Sequence, residues 1–321
     1  MSSPSEIHPE LLKNARYYEY SKAANPIAAG YIPKIPLADF PAHLHQSGES
    51  RVIPFDLSDK LECPWPATNP SLLANFLRIQ AGESLKTNPD ATSQLFHVIR
   101  GSGLTRFEGR SIPWKKGDTF VLPFGGPAEH QAETDSAFYF VHDQPLLSYL
   151  GAKPTSPRFP PTLYPQGREQ SELEKVAADP EAAKRNRVSV LLANDQFPQT
   201  RTVTHVLWAM FGVLPAGKVQ PAHKHESIAL DFIIDCPEGC YTLIGESIDK
   251  DGKVQNPRRA DWKPGSAFVT PPGLWHSHHN ESNQDAHLLP IQDAGLHTHL
   301  RTLDIHFSND KHDKEIYISQ K

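Results

Sequence analysis

Residues 114–123 read W-K-K-G-D-T-F-V-L-P, and residues 262–271 read W-K-P-G-S-A-F-V-T-P. Both fit W-K-x-G-x-x-F-V-x-P, which reads as a glycine turn, a short apolar strand and a proline stop. The order of parts around each copy agrees as well. V-I-R-G at residue 98 and I-I-D-C-P-E-G at residue 233 each end a preceding strand at a turn. Two such copies predict a tandem repeat of one β domain. Outward from them the chain is a series of short strands. Runs begin at Ser71, Leu95, Thr202, His223, Cys240, Ser266 and His287. Evenly spaced short strands argue an all-β sandwich or barrel, and 30 prolines suit short strands and irregular arms better than long helices.

The segments between and before the repeats read differently. E-I-H-P-E-L-L-K-N-A-R-Y-Y-E-Y, residues 6–20, has apolar residues at helical spacing and predicts a helix starting near Pro9. Residues 25–50 are proline-rich and extended, an arm to pack on the body or on a partner subunit. Residues 150–200 break the strand pattern. S-E-L-E-K-V-A-A-D-P-E-A-A-K-R from Ser171 predicts two short helices split at Pro180, and V-S-V-L-L-A from Val188 predicts a strand joining the next sheet. The expected organisation is an N-terminal arm over 1–50, a first barrel over 51–150, a linker with short helices over 151–200, and a second barrel over 201–321.

Composition narrows the function. In 321 residues the net charge is −5, with no Lys/Arg run longer than two, so neither nucleic acid nor an anionic membrane is an expected partner. No apolar run approaches the ~18 residues that span a bilayer. The N-terminus M-S-S-P-S-E-I-H-P-E lacks a basic region and an apolar core, so no signal peptide is expected and the cytoplasm is the expected location. Cys63, Cys236 and Cys240 do not make a disulfide framework, and C-P-E-G-C reads as a turn rather than a zinc half-site.

The chemistry is carried by P-A-H-K-H-E-S-I-A-L-D-F, residues 221–232, and G-S-A-F-V-T-P-P-G-L-W-H-S-H-H-N, residues 265–280. Side chains two apart on a strand share a face, so His223 and His225 can aim at one point. His276 leaves the second block just after a Pro-Pro-Gly corner. Three neutral imidazoles suit a first-row divalent ion and leave positions open for substrate. With 17 histidines a lone His-x-His pair is weak, and the pair followed by the second block is far more specific.

These blocks resemble the cupin superfamily, and the whole chain resembles a bicupin: tandem double-stranded β-helix, jelly-roll-like barrels, all-β apart from the N-terminal helical arm and short linker helices. Within cupins the likeness is to the ring-cleaving group containing gentisate 1,2-dioxygenase, 1-hydroxy-2-naphthoate dioxygenase and salicylate dioxygenase. H-K-H-E-S-I-A-L-D-F from His223 resembles that group's H-R-H-x-x-x-A-L-R-F, and T-P-P-G-L-W-H-S-H-H-N from Thr270 resembles its T-P-x-W-x-W-H-D-H-G-N. D-Q-P-L from Asp143 resembles the D-x-P-L segment that follows a barrel in those enzymes. The resemblance implies a non-haem Fe(II) dioxygenase of the extradiol type, gentisate-like, acting with O₂ on a small aromatic acid, in a homo-oligomer (dimer or tetramer).

Two departures shape the expectation. Cupins with a fourth ligand place a Glu four or five positions after the second histidine; here Ala229 and Leu230 stand there. The group also carries its histidines in the first barrel, where this chain has K-T-N-P-D-A-T-S-Q-L-F-H, residues 86–97, with only His130 near the third-ligand position. The first barrel is therefore expected to be structural. His278 is a candidate donor to oxygen or substrate, with a surface or outer-sphere role equally open. His279 is expected to point away. Asp231 is a candidate to orient a ligand histidine, although an ordinary strand residue is the plainer reading. Arg301, in the polar segment 293–307, is a candidate anchor for a substrate carboxylate, against a salt bridge to Asp293 or Asp304. His205 and Trp208 are expected to line the barrel, Trp208 as packing. A bicupin that binds a metal or small acid without turnover, and a cupin oxygenase or isomerase on a non-aromatic substrate, stay open.

Overall fold

A computed structural model describes residues 8–308, in two compact units divided after Lys34. In the first unit a single 3₁₀ turn, Pro9–Leu11, and a four-residue helix, Tyr20–Ala23, stand where one helix over 6–20 was expected. Residues 6 and 7 lie outside the described range. The helix starts near Pro9 as expected and then stops. Its aromatic residues Tyr17, Tyr18 and Tyr20 are exposed. So short a segment gains too little from its own hydrogen bonds to hold helical geometry. The carboxylate of Glu19 caps the short helix by accepting from the backbone N–H of Ser21 and Lys22.

The second unit contains four antiparallel sheets, in two pairs with the same internal order. In the first pair, Thr119–Pro123, Ser93–Arg100, Ser136–His142 and Leu73–Ile79 lie side by side, opposite Ser84–Thr87, Ala128–Ala132, Ser102–Phe107 and Arg110–Lys115. The second pair repeats this with Ala267–Thr270, Ala229–Asp235, Ala286–Gln292 and Trp208–Leu214, opposite Val219–Lys224, Trp275–Asn280, Cys240–Gly245 and Arg258–Asp261. The duplicated decapeptide thus sits at one position in two copies of one barrel.

Both barrels borrow strands from the connecting segments. The segment 151–200 gives Thr162–Tyr164 to the first barrel and Val188–Leu192 to the second. It also forms the helix Gln166–Ala177 and, beyond Pro180, the turn Ala182–Lys184. The N-terminal stretch gives Asp39–Phe40 to the second barrel, paired with Ala267 and Phe268, and Arg51–Pro54 to the first. These paired segments close sheet edges that would otherwise carry unpaired N–H and C=O groups.

Strand alternation sorts the side chains. In Ala229–Asp235, Leu230 and Phe232 pack into an apolar core shared by the two large sheets, with Phe55, Phe76 and Tyr139. Ile233 turns instead into the second barrel. The first barrel is filled by aromatic side chains: Phe96 stacks on Phe120 and Phe140 at 4.8 and 4.3 Å. The polar segment 293–307 is not one strand. Residues Ala294–Leu300 form a helix, followed by the short strand His306–Phe307. The helix Gln144–Leu150 occupies the same place after the first barrel, so the likeness seen at Asp143 is repeated at Asp293.

Candidate metal centre

The strand Val219–Lys224 brings two histidines to the site through an irregularity in its pairing. Val219 and Gln220 face His279 and His278, and then the register shifts so that His223 faces His276. Pro221 lies in the shift; it has no N–H to give the ladder, and a bulge there re-aims the side chains that follow. On the other side, Gly273 takes a positive φ of 73° and its N–H donates to His225 O at 2.8 Å. This corner delivers the strand Trp275–Asn280 with His276 and His278 on one face.

The imidazole nitrogens of His223, His225 and His276 lie within 4.8 Å of one another, and all three residues are buried. Each ring is oriented in the same way. Nδ1 of His225 is 2.8 Å from Ser227 O, Nδ1 of His276 is 3.0 Å from Leu274 O, and Nδ1 of His223 is 3.3 Å from Pro221 O. A carbonyl can only accept, so each Nδ1 carries the hydrogen and each Nε2 keeps its lone pair. Burial pushes His276 down to about 3 and His225 to about 4, and holds His223 well below the usual 6.5. All three are neutral at pH 7, the form that ligates. The donor set fits a divalent ion with positions to spare. No carboxylate joins this group among the described residues.

His278 is buried beside the three, its ring centroid 5.7 Å from those of both His223 and His276. His279 points to the other face and stacks on Tyr241 at 4.7 Å. Asp231 turns into the barrel, but its partner is Thr270, whose Oγ1 donates to Oδ2 at 2.9 Å; among the described residues it bonds no ligand histidine. Burial pushes its carboxyl up to about 6, against the pull of Arg187.

Arg301 is placed differently from the expectation. It is exposed at the C-terminal cap of the helix Ala294–Leu300, in left-handed conformation with φ 62°, where the first barrel has Gly151. Its guanidinium folds back onto the carbonyl of His299. Sequence reading missed Arg187. A cavity of about 260 Å³ is lined by His223, His225, Arg187, Trp208, Met210 and Phe307 among others, and not by Arg301. Nη2 of Arg187 and Nε1 of Trp208 are both enclosed and have no hydrogen-bond partner among the described residues. Trp208 therefore lines the cavity with an orphaned donor. His205 lies before the strand, beside Phe159 and Phe197. The parity of Val188–Leu192 could have found Arg187: Val188 and Val190 pack on the shared core, which leaves Arg187 and Ser189 for the barrel side.

In the first barrel the position of the third ligand is held by Ala128, not His130. Thr87 pairs with Ala128 as His223 pairs with His276. His130 has both ring nitrogens within 3.0 Å of threonine hydroxyls, on Thr87 and Thr105. It was expected near the third-ligand position and instead corresponds to His278.

Comparison with known proteins bears on the fold and on the sequence. No family model matches the chain. Over 103 residues, 32% of this chain and 26% of the relative, it is 28% identical to gentisate 1,2-dioxygenase 1 of Aquipseudomonas alcaligenes. Over 85 residues, 26% of this chain and 23% of the relative, it is 29% identical to 5-aminosalicylate 1,2-dioxygenase of a Comamonas species. The matched stretch thus spans about a quarter of each of these curated relatives. The structural likeness is much longer. Salicylate 1,2-dioxygenase of Pseudaminobacter salicylatoxidans superposes with a TM-score of 0.71 over 96% of this chain and 99% of that one, at 13% identity. A variant of that enzyme in complex with gentisate gives 0.70 over 95% and 96%, at 14% identity. The fold is the tandem cupin fold, and the chain resembles the dioxygenase group of bicupins in both sequence and fold.

Proposed function

We propose that this chain is an Fe(II)-dependent dioxygenase that opens the ring of a hydroxylated or amino-substituted aromatic carboxylic acid. The observation that carries the reading is the cavity beside the three histidines, where the enclosed donors of Arg187 and Trp208 lack partners. Orphaned buried donors are costly, and an anionic oxygen satisfies both. The names of both sequence relatives point to the same substrate class and to cleavage at the 1,2 position, between the ring carbon that bears the carboxylate and its neighbour.

His223, His225 and His276 would hold the ion, and iron(II) would supply the one-electron chemistry that couples a spin-paired aromatic ring to O₂. The chain's own residues do the rest. Arg187 gives charge-assisted hydrogen bonds to the carboxylate and fixes the ring's direction. Trp208 and Met210 cover the ring and exclude water. His278 offers a polar contact to oxygen or to the substrate. Opening the ring with O₂ needs no external reductant, because the ring supplies the electrons and the product keeps both oxygen atoms.

We place the enzyme in the cytoplasm as a homo-oligomer. Its three cysteines are unpaired, which suits a reducing compartment. No helix among the described residues is long and apolar enough to cross a membrane.

The test is oxygen uptake by iron-reconstituted protein offered salicylate, gentisate, 1-hydroxy-2-naphthoate and 5-aminosalicylate. We expect uptake equimolar with loss of the aromatic absorbance for at least one acid, and none after chelation. Tight binding of these acids without uptake would make the protein a binding bicupin instead.

A further inference from the structure

The two barrels contain the same three-residue relay. In the second barrel the indole N–H of Trp262 donates to Thr242 Oγ1 at 2.8 Å, and that oxygen lies 2.8 Å from His278 Nδ1. In the first barrel the indole N–H of Trp114 donates to Thr105 Oγ1 at 2.9 Å, and that oxygen lies 2.9 Å from His130 Nδ1. The strand registers agree, since Thr242 pairs with His278 and Thr105 with His130. Trp114 and Trp262 are the first residues of the duplicated decapeptide.

The relay determines where the hydrogens are. An indole nitrogen can only donate, so the threonine oxygen accepts from it. Thr242 and Thr105 are fully buried, and each hydroxyl still has a hydrogen to place. Among the described residues the one acceptor in reach of Thr242 Oγ1 is His278 Nδ1. A hydrogen on Nδ1 would leave the hydroxyl as a double acceptor with its own hydrogen buried and unpaired, the costly arrangement. The hydroxyl therefore donates to Nδ1, and the ring hydrogen sits on Nε2. This is the reverse of His223, His225 and His276, where Nδ1 donates to a carbonyl and Nε2 carries the lone pair.

The barrels then differ at the far nitrogen. In the first, Nε2 of His130 is 3.0 Å from Thr87 Oγ1, which absorbs the donor. In the second, the equivalent of Thr87 is His223, which has no hydroxyl to absorb it, and the hydrogen bond of the His278 ring among the described residues runs through Nδ1. We propose that Trp262 and Thr242 are positioning residues that hold His278 as its Nε2–H tautomer, so that it meets the three-histidine site as a hydrogen-bond donor and not as a fourth ligand. That this donor serves an aromatic acid and O₂ rests on the proposed function; the tautomer itself does not.

The test reads the tautomer directly. Full-length, metal-free protein labelled with ¹⁵N-histidine is examined by long-range ¹H–¹⁵N correlation, with the His278 signals assigned by their loss in His278→Gln. The wild type is expected to show a protonated Nε2 and an unprotonated Nδ1. Thr242→Val keeps the shape and removes the hydroxyl, and it should release the ring to the Nδ1–H form or to a mixture. Thr242→Ser should restore the wild-type pattern, which a purely packing role would not require. Thr242→Ala serves as the second hydroxyl-free variant if valine disturbs the barrel. A wild-type ring protonated at Nδ1, or an unchanged tautomer without the hydroxyl, overturns the proposal. Neither result depends on turnover, so this proposal and the dioxygenase reading can fail separately.

Discussion

Removing two ligands at once should abolish metal binding while leaving the fold intact. A His223→Ala, His225→Ala double variant is expected to purify with under ~0.1 metal per chain, where the wild type carries about one. Loss of outer-sphere partners alone costs ~10–100-fold in metal affinity, and loss of two direct ligands must cost more. The barrel should survive, because the apolar side chains that fill the shared core and the barrels are all retained. Oxygen uptake should fall below detection. Metal quantitation beside a melting curve checks both parts, and full occupancy in a folded variant would contradict the assignment. The first barrel should bind nothing in the same preparation, since Thr87 and Ala128 stand where His223 and His276 stand in the second.

Arg187→Ala should have the second largest effect. Truncating one partner of a buried, charge-assisted contact typically costs ~2–5 kcal/mol, which is roughly 30- to several-thousand-fold in kcat/KM. Arg187→Lys should recover only part of this, because a point charge cannot reproduce two parallel N–H contacts. Metal content should be unchanged in both. Arg301→Lys is the internal control, with kinetics expected near wild type, because Arg301 is exposed at a helix cap with its guanidinium turned onto His299. Kinetics in which Arg301→Lys raises KM and Arg187→Ala does not would return the carboxylate anchor to Arg301.

The two arginines show what the sequence makes legible. A repeated decapeptide and a His-x-His pair are local patterns, and local patterns survive translation into structure. The two barrels, the second-barrel histidines and the turned-away His279 could all be read from spacing. Arg187 could not be read that way. It stands in a stretch that looked like a linker, and it reaches the cavity only because Val188–Leu192 pairs with Trp208–Leu214. Arg301 misled because nothing local shows how the polar segment after the last long strand folds. It folds as a helix that ends at Arg301 itself. His130 misled for a subtler reason: two histidines leave the same strand of the second barrel, and only the pairing of Thr87 with Ala128 shows which of them it matches. The relay of tryptophan, threonine and histidine was invisible for the same reason, since Thr242 and Trp262 meet His278 only across strands.

We propose that the second barrel inserts both atoms of O₂ into an aromatic acid. The direct measurement is mass spectrometry of the product formed under ¹⁸O₂ by the iron-reconstituted protein, with exchange of carboxylate oxygens with water controlled. Two labelled oxygen atoms in a ring-opened product are expected, with no requirement for an added reductant. A product carrying one labelled atom or none would contradict the proposal.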